Sequence, residues 1–121
     1  MISAIRPLAD QYTTVYASPD PETIFAYSPG LCRLSSGRLV ATLDIGGPGV
    51  QDLPGVKYPR GEAGYASQGK VYTSDDQGRT WQHRVDYPYK HARPFVTENG
   101  LYVLGHAGDL MITHSNDDGE T

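Results

Sequence analysis

Apolar positions in this chain come in short stretches, and glycine or proline interrupts them repeatedly. Stretches of strand character, several with alternating apolar and polar residues, lie at residues 30–34, 38–44, 69–74, 81–85, 93–97, 101–105 and 109–115. A period of two places every second side chain on one face of a strand. No window keeps the i, i+3, i+4, i+7 apolar spacing of a helix without such an interruption. The pattern therefore predicts an all-β fold.

The strands fall into two units of the same order. Glycine-containing turns, "SSG" at residues 35–37 and "ENG" at residues 98–100, join the first two strands of each unit. A repeat of four antiparallel strands over about 40–50 residues is typical of a β-propeller blade. The prediction is a lead-in over residues 1–23, a first blade over 24–85 and a second blade over 86–121. A self-standing small β-domain is the alternative.

Two parts of this division carry further expectations. The lead-in over residues 1–23 is a candidate for a closing strand of the propeller. The first blade contains an insertion of about twenty residues, 45–66, between its second and third strands, and the second blade has no counterpart of it. Loops of this length are often functional lids or disordered segments.

A polar motif occurs once in each unit, as "SDDQGRTW" (74–81) and "SNDDGET" (115–121). The shared positions are Ser74, Asp76, Gly78 and Thr80, followed by Trp81, and Ser115, Asp117, Gly119 and Thr121. We expect each aspartate to accept hydrogen bonds within its own turn, and each glycine to allow a positive φ. Trp81 would start the next strand and bury its ring between blades. Neither stretch has the spaced oxygen ligands and distal glutamate of a calcium loop, so the motif predicts a structural lock on a hairpin.

These two motifs resemble the Asp-box, or BNR repeat, of the sialidase (neuraminidase) superfamily. The upstream segment "AYSPGLCRLSSGRLVATLD" is also similar to the first blade of bacterial sialidases, so the resemblance covers about residues 24–121. It implies a six-bladed propeller in which the boxes are scaffold, away from the active site. The second motif stops one residue before the position of Trp81, and the resemblance therefore implies the N-terminal part of a longer protein.

The resemblance also implies glycoside hydrolysis, in which a carboxyl protonates the leaving oxygen. Asp52 is the first candidate for this acid/base, with Asp44 in reserve. Arg93 and His91 are candidates for substrate binding, on a face shared with Tyr27, which stands where the family has its first carboxylate-binding arginine. Because this arginine is missing, we expect weak or no activity on sialosides. We expect the glycone to have no carboxylate at the anomeric carbon. The family's nucleophilic tyrosine and remaining arginines would lie after residue 121.

Composition excludes several other classes. A net charge of −4 with scattered Lys and Arg argues against a nucleic-acid partner, and no apolar stretch approaches the length of a membrane span. The N-terminus does not look like a signal peptide, although the family is often secreted. With no phosphate loop, Cys/His cluster or serine elbow, no cofactor or metal is expected. Two hypotheses stay open: a sialidase-like exo-glycosidase acting on a glycoside, and a non-catalytic propeller that binds glycans or proteins.

Overall fold

The computed structural model describes residue 4, residues 11–59 and residues 64–121. Over these residues the chain forms seven strands and one 3-10 helix: β1 (Phe25–Arg33), β2 (Leu39–Gly46), the 3-10 helix (Pro48–Asp52), β3 (Ser67–Ser74), β4 (Gln82–Tyr87), β5 (Lys90–Thr97), β6 (Gly100–Ala107) and β7 (Asp109–Ser115). In this part of the chain β1 to β4 form a first antiparallel sheet in sequence order, and β5 to β7 form a second. The all-β prediction is confirmed.

The predicted turns connect the first two strands of each sheet. Between β1 and β2, the Leu34 N–H donates to the Arg38 carbonyl at 2.8 Å, and the Gly37 N–H donates to the Leu34 carbonyl at 2.9 Å. Gly37 has a φ of 92°, and Gly100, at the start of β6, has a φ of 125°. Glycine adopts a positive φ at little cost, which is why a glycine occurs in both turns.

The two sheets pack face to face around a shared apolar core. Its buried members are Leu34, Val40, Val71, Tyr87, Tyr89, Ala92, Leu101 and Val103. The face of the first sheet that meets the second is called its front face here. Alternation along β2 places Val40 and Thr42 on this face and Leu43 and Ile45 on the opposite, back face. Within the interface β5 lies against β1 and β2, so the first strands of the two sheets are neighbours.

The back face of the first sheet has a second apolar cluster. Its buried members are Ile24, Leu43, Ile45, Val50 and Ala66, and the half-buried Val15, Tyr16, Leu53 and Tyr72 pack against them. Val50 belongs to the 3-10 helix and is fully buried. The predicted insertion therefore packs on the sheet through its first residues instead of standing free.

The remainder of the insertion is tied to the sheet by polar contacts. The Gln68 Nε2 donates to the carbonyls of Pro54 and Val56, both at 2.9 Å, and Tyr58 forms a β-bridge with Ser67. Since β2 extends to Gly46 and β3 begins at Ser67, the connection is slightly shorter than predicted. Residues 60–63 of the insertion lie outside the described residues.

Residues 11–23 of the lead-in run irregularly along the back of the first sheet. The Thr13 hydroxyl donates to the Gly78 carbonyl at 2.8 Å, and Val15 and Tyr16 contribute to the back cluster. Residues 1–3 and 5–10 lie outside the described part of the chain. A closing strand in this region stays a prediction, because it concerns pairing with further blades.

The outward face of the second sheet is apolar and exposed. Phe95, Leu104 and Ile112 are exposed to 39%, 36% and 55%. On the same face Tyr102 stacks between Phe95 and His114, with ring centroids 5.3 Å and 4.5 Å away. Among the described strands β7 pairs with β6 alone, so one of its edges carries no partner. An exposed apolar sheet face of this kind is typical of an interaction surface.

Candidate functional site

Each of the two neighbouring first strands contains a β-bulge. β1 begins at Phe25 and β5 at Lys90, both earlier than the predicted starts at 30 and 93. The extra length is irregular: one non-glycine residue in each bulge has positive φ, Ser28 at 53° and His91 at 55°. Such residues are uncommon, and backbone strain of this type concentrates at functional sites.

The two bulged strands approach each other closely at Gly30. A Cβ at this position would lie 2.6 Å from Pro94 Cδ and 2.7 Å from Thr42 Oγ1, well inside van der Waals contact. Only glycine therefore fits between β5 and the front face of β2. This close approach brings the end of β2 under the bulge of β5.

Asp44 lies at that end of β2 and is fully buried. Its Oδ2 accepts the backbone N–H of His91 at 2.5 Å, across 47 residues of sequence. Its Oδ1 is buried and has no hydrogen-bond partner among the described residues. A buried carboxyl oxygen without a protein partner costs free energy, which makes Asp44 a candidate functional residue.

Two histidines and a tyrosine lie over the carboxyl group. His91 Nδ1 and His106 Nε2 are 2.9 Å apart, which is a hydrogen bond in one tautomer of each ring. The Tyr27 ring meets the His91 ring edge-on, with centroids 6.4 Å apart. Tyr27 is the direct β-pair of Asp44 and is 37% exposed, while His91 is also exposed and His106 half-buried.

Arg93 completes this group, which is called the Asp44 cluster: Tyr27, Asp44, His91, Arg93 and His106. The Arg93 Nη1 donates to the carbonyls of Ser28 at 3.2 Å and Ala92 at 3.0 Å. The guanidinium thereby joins the β1 bulge to β5. Its other N–H groups remain able to donate to a ligand, because Arg93 is exposed.

The environment changes the acidity of two members of the cluster. Burial raises the pKa of Asp44 above its ordinary value. The hydrogen bond from the His91 N–H opposes this rise, followed by the charges of His91, Arg93 and His106. Burial also raises the pKa of Tyr27, and the nearby Asp44 carboxylate adds to the effect. Asp44 thus keeps its proton to higher pH than an exposed aspartate.

The structure brings together four of the five residues predicted for catalysis and substrate binding. Tyr27, Asp44, His91 and Arg93 lie in the cluster, whereas Asp52 is exposed at the end of the 3-10 helix. No hydrogen bond among the described residues joins Asp52 to the cluster. The 3-10 helix packs on the back face of the first sheet, whereas Asp44 points to the front.

His106 is the cluster member that the sequence analysis did not select. It lies on β6 opposite Lys90, next to the β5 bulge. The signal in the sequence is weak, because a histidine near the end of a strand is common. Only the pairing of β5 with β6 places its ring beside His91.

The two polar motifs lie at the other end of the sheets and have the same geometry. In the first, Ser74 Oγ donates to Asp76 Oδ1 at 2.8 Å and accepts the Gly78 N–H at 2.8 Å. Asp76 also accepts the Thr80 N–H at 2.8 Å and the Thr80 hydroxyl at 2.5 Å. These bonds close the turn with its own side chains, as the sequence predicted.

The second motif repeats each of these contacts. Ser115 Oγ donates to Asp117 Oδ1 at 2.7 Å and accepts the Gly119 N–H at 3.0 Å. Asp117 accepts the Thr121 N–H at 3.0 Å and its hydroxyl at 2.6 Å. The threonine side chains, followed by the other donors of each turn, lower the pKa of Asp76 and of Asp117 to about 2.

One arginine connects the two motifs. Arg38 makes two hydrogen bonds to the Asp75 carboxylate, at 2.7 Å and 2.9 Å. Its Nη1 reaches the second motif, at the Asp118 carbonyl (2.9 Å) and the Glu120 carboxylate (2.8 Å). Arg84 donates to the same Glu120 at 2.5 Å. The two motifs therefore lie side by side.

Neither a metal-binding group nor a membrane-spanning helix is found among the described residues. No group of three or more His, Cys, Asp or Glu side chains in this part of the chain is arranged to hold a metal ion. Among the same residues, no helix combines the length and apolar character needed to cross a membrane.

Comparison with known proteins adds little to this geometry. No family model matches the chain. No curated protein matches it either. A crystal structure of a protein of unknown function from Dyadobacter fermentans DSM 18053 aligns with 88% of this chain at 15% identity and a TM-score of 0.42. The chain spans about half the length of that protein, since 50% of it is covered.

Proposed function

We propose that this chain supplies two adjacent blades of a sialidase-like Asp-box propeller, with the Asp44 cluster on the substrate face of an exo-glycosidase. The observation that carries the proposal is the buried Asp44 carboxyl, with one free oxygen and a raised pKa, beneath a layer of exposed polar side chains. A glycosidase needs a carboxyl that holds a proton near neutral pH. In this proposal Asp44 takes that role.

Three features of the fold support the propeller. Each sheet carries one Asp-box after its third strand in sequence order, and the sheets pack face to face with their first strands adjacent. The outward face of the second sheet is apolar, as a face that receives a further blade would be. A closed ring needs at least about four blades, so the proposal includes a longer protein of which this chain is the N-terminal part.

Each residue of the Asp44 cluster has its own role in this proposal. Asp44 Oδ1 is the atom that would donate a proton to the leaving oxygen, after the side chains above it have moved for the substrate. Arg93 and the two histidines would orient hydroxyl groups of the sugar through N–H donors. Tyr27 would line the subsite where sialidases have an arginine. This neutral residue favours a glycone without a carboxylate at the anomeric carbon.

One observation favours the second candidate, a non-catalytic propeller that binds glycans or proteins. Asp44 is fully buried, whereas Arg93 and His91 are exposed. Exposed donors without an accessible acid form a binding surface, and propellers serve many unrelated functions. In that case Asp44 would hold the β5 bulge in place and would not meet the ligand.

Glycoside cleavage by the natural protein that contains this chain tests the proposal. Wild type, Asp44→Asn and Asp52→Asn are compared on a panel of aryl glycosides that includes a sialoside. We expect Asp44→Asn to lower kcat by about a hundredfold or more, and Asp52→Asn to lower it by a few-fold at most. A large loss for Asp52→Asn alone would return the acid/base role to Asp52, and efficient sialoside cleavage would contradict the role given to Tyr27.

Ligand binding separates the two candidates. Arg93→Ala should weaken glycan binding, or raise KM, by about tenfold or more, because hydrogen bonds from a charged donor are lost. Arg33→Ala is the matched control, since Arg33 is an exposed arginine at the end of β1, away from the bulge at Ser28. Binding that depends on Arg93, together with no cleavage of any glycoside in the panel, would favour the non-catalytic candidate.

A further inference from the structure

Two buried polar atoms on the front face of the first sheet have no hydrogen-bond partner among the described residues. One is Oδ1 of Asp44, and the other is Oγ of Ser67, a residue that is only 3% exposed. Ser67 is the β-pair of Gly46, which follows Asp44 by two positions on β2, so alternation places both side chains on the front face. Diagonal neighbours of this kind are about 7–8 Å apart across a sheet. A ligand the size of a monosaccharide can therefore reach both atoms.

The insertion adds an aromatic side chain next to Ser67. Tyr58 and Ser67 exchange both of their backbone hydrogen bonds, at 2.8 Å and 2.9 Å, so their side chains lie on the same face. The ammonium group of Lys90, on β5, lies 5.4 Å from the centre of the Tyr58 ring, which is within the range of a cation–π contact. Ser67, Tyr58 and Lys90 are therefore successive neighbours, and they are called the Lys90 subsite here.

The other side of Ser67 is covered by the Tyr27 ring. A Cβ on Gly46 would lie 2.5 Å from the Tyr27 hydroxyl oxygen, so the ring occupies the space beside Ser67 that the glycine leaves. Tyr27 is a member of the Asp44 cluster, and the Lys90 subsite therefore adjoins that cluster. Since Tyr27 is exposed to solvent, its ring has room to turn and to open the Ser67 hydroxyl to a ligand.

The Lys90 subsite carries a positive charge that no described carboxylate neutralises. No salt bridge among the described residues includes Lys90. Lys90 is the β-pair of His106, so its charge lies next to the Asp44 cluster. Asp109 pairs with Ala107, whose side chain packs on the core, and alternation places it on the other face from His106. The subsite therefore offers hydrogen-bond donors to a ligand that brings its own negative charge.

We propose that the Lys90 subsite binds an anionic substituent of a glycan, a carboxylate or a sulfate that lies away from the glycosidic bond. The class of ligand rests on the proposed function, in its catalytic or its binding form. The Lys90 ammonium and the Ser67 hydroxyl donate to the oxyanion, and the Tyr58 ring packs against the sugar. The subsite is one diagonal step of the sheet away from Asp44, so the anion is carried by a ring substituent and not by the anomeric carbon.

Binding of matched sugars to the natural protein that contains this chain tests the proposal. The ligands are methyl thioglycosides, which resist hydrolysis, of glucose and galactose, the corresponding uronates, and the esters with sulfate on the primary hydroxyl. We expect the uronate or the sulfate ester to bind about tenfold or more tightly than the neutral sugar, because charged hydrogen bonds are gained. The better of the two identifies the oxyanion. Equal affinity for neutral and anionic members, or no binding of any member, would overturn the proposal.

Three variants locate the binding site of the anion. Lys90→Gln should remove most of the preference, and Ser67→Ala should reduce it by about fivefold. Ser67→Ala should not lower Tm, since it removes a buried hydroxyl that has no partner. Arg79→Gln is the matched control, because it removes one positive charge from an exposed residue of the first Asp-box. A preference that survives Lys90→Gln, or that Arg79→Gln lowers equally, would also overturn the proposal.

The cleavage assay on aryl glycosides separates this proposal from the proposed function. Cleavage without any preference for an anionic sugar would overturn the Lys90 subsite and leave the proposed function in place. A preference that depends on Lys90, together with no cleavage of any aryl glycoside, would support the subsite and contradict the catalytic form of the proposed function.

Discussion

Two substitutions of Asp44 separate its role as an acceptor from the effect of its charge. Asp44→Ala leaves the N–H of His91, whose own backbone has a positive φ, without an acceptor, so we expect a loss of about 1–3 kcal/mol in the free energy of unfolding. Asp44→Asn keeps an oxygen at the same place and removes the buried charge. We expect it to stay within about 1 kcal/mol of wild type. Urea unfolding at fixed pH measures both.

The stability difference between wild type and Asp44→Asn should also change with pH in a direction that the structure predicts. Burial raises the pKa of folded Asp44 above the ordinary value of 3.8, so the folded chain holds this proton more tightly than the unfolded chain. As pH rises through 3.8, the unfolded chain ionises first and wild type loses stability. The Asn variant does not titrate here. The stability difference should therefore move in favour of Asp44→Asn between pH 3 and pH 7.

Two results would refute this reasoning. Equal destabilisation by Asn and Ala would show that the hydrogen bond to His91 contributes nothing. A shift of the difference toward wild type as pH rises would show that the His91 N–H and the cationic neighbours together outweigh burial and lower the pKa of Asp44. The second result would also remove the main support for Asp44 as a proton donor.

Three further predictions concern the scaffold. Asp76 and Asp117 have their pKa lowered to about 2 in the folded chain, so the stability they contribute is complete above pH 3.8 and is lost as pH falls from there toward 2. Over this pH range the urea midpoint should fall less steeply in Asp76→Asn and in Asp117→Asn than in wild type. Arg38→Gln should lower Tm more at about 0.05 M than at about 1 M salt, because salt screens its ion pairs, and an equal loss at both would contradict an electrostatic link. Tyr89→Phe should cost about 1 kcal/mol in urea unfolding, since the buried hydroxyl donates to a carbonyl at 2.9 Å, and a neutral variant would show that this bond adds nothing.

Local features of the molecule could be predicted from the sequence. Every side-chain hydrogen bond that closes the first box joins residues at most four positions apart, between Ser74 and Thr80. Such contacts form whenever the residue types and their spacing are right, whatever surrounds them. The strand cores and the two glycine turns follow from the same short-range rules. For this reason the all-β fold and the matching geometry of the two boxes could be predicted from the sequence.

The assembly of the candidate site depended on the tertiary structure. Asp44 meets His91 across 47 residues, and the contact exists only because β5 packs on the front face of β2. The bulges at Ser28 and His91 could not be predicted, since a positive φ at a non-glycine residue leaves no pattern in the sequence. The resemblance to sialidases favoured Asp52 over Asp44, whereas the structure places the two carboxyls on different faces of the first sheet. Packing between the sheets decides this, because the burial and charge that tune a carboxyl come from side chains that are distant in sequence.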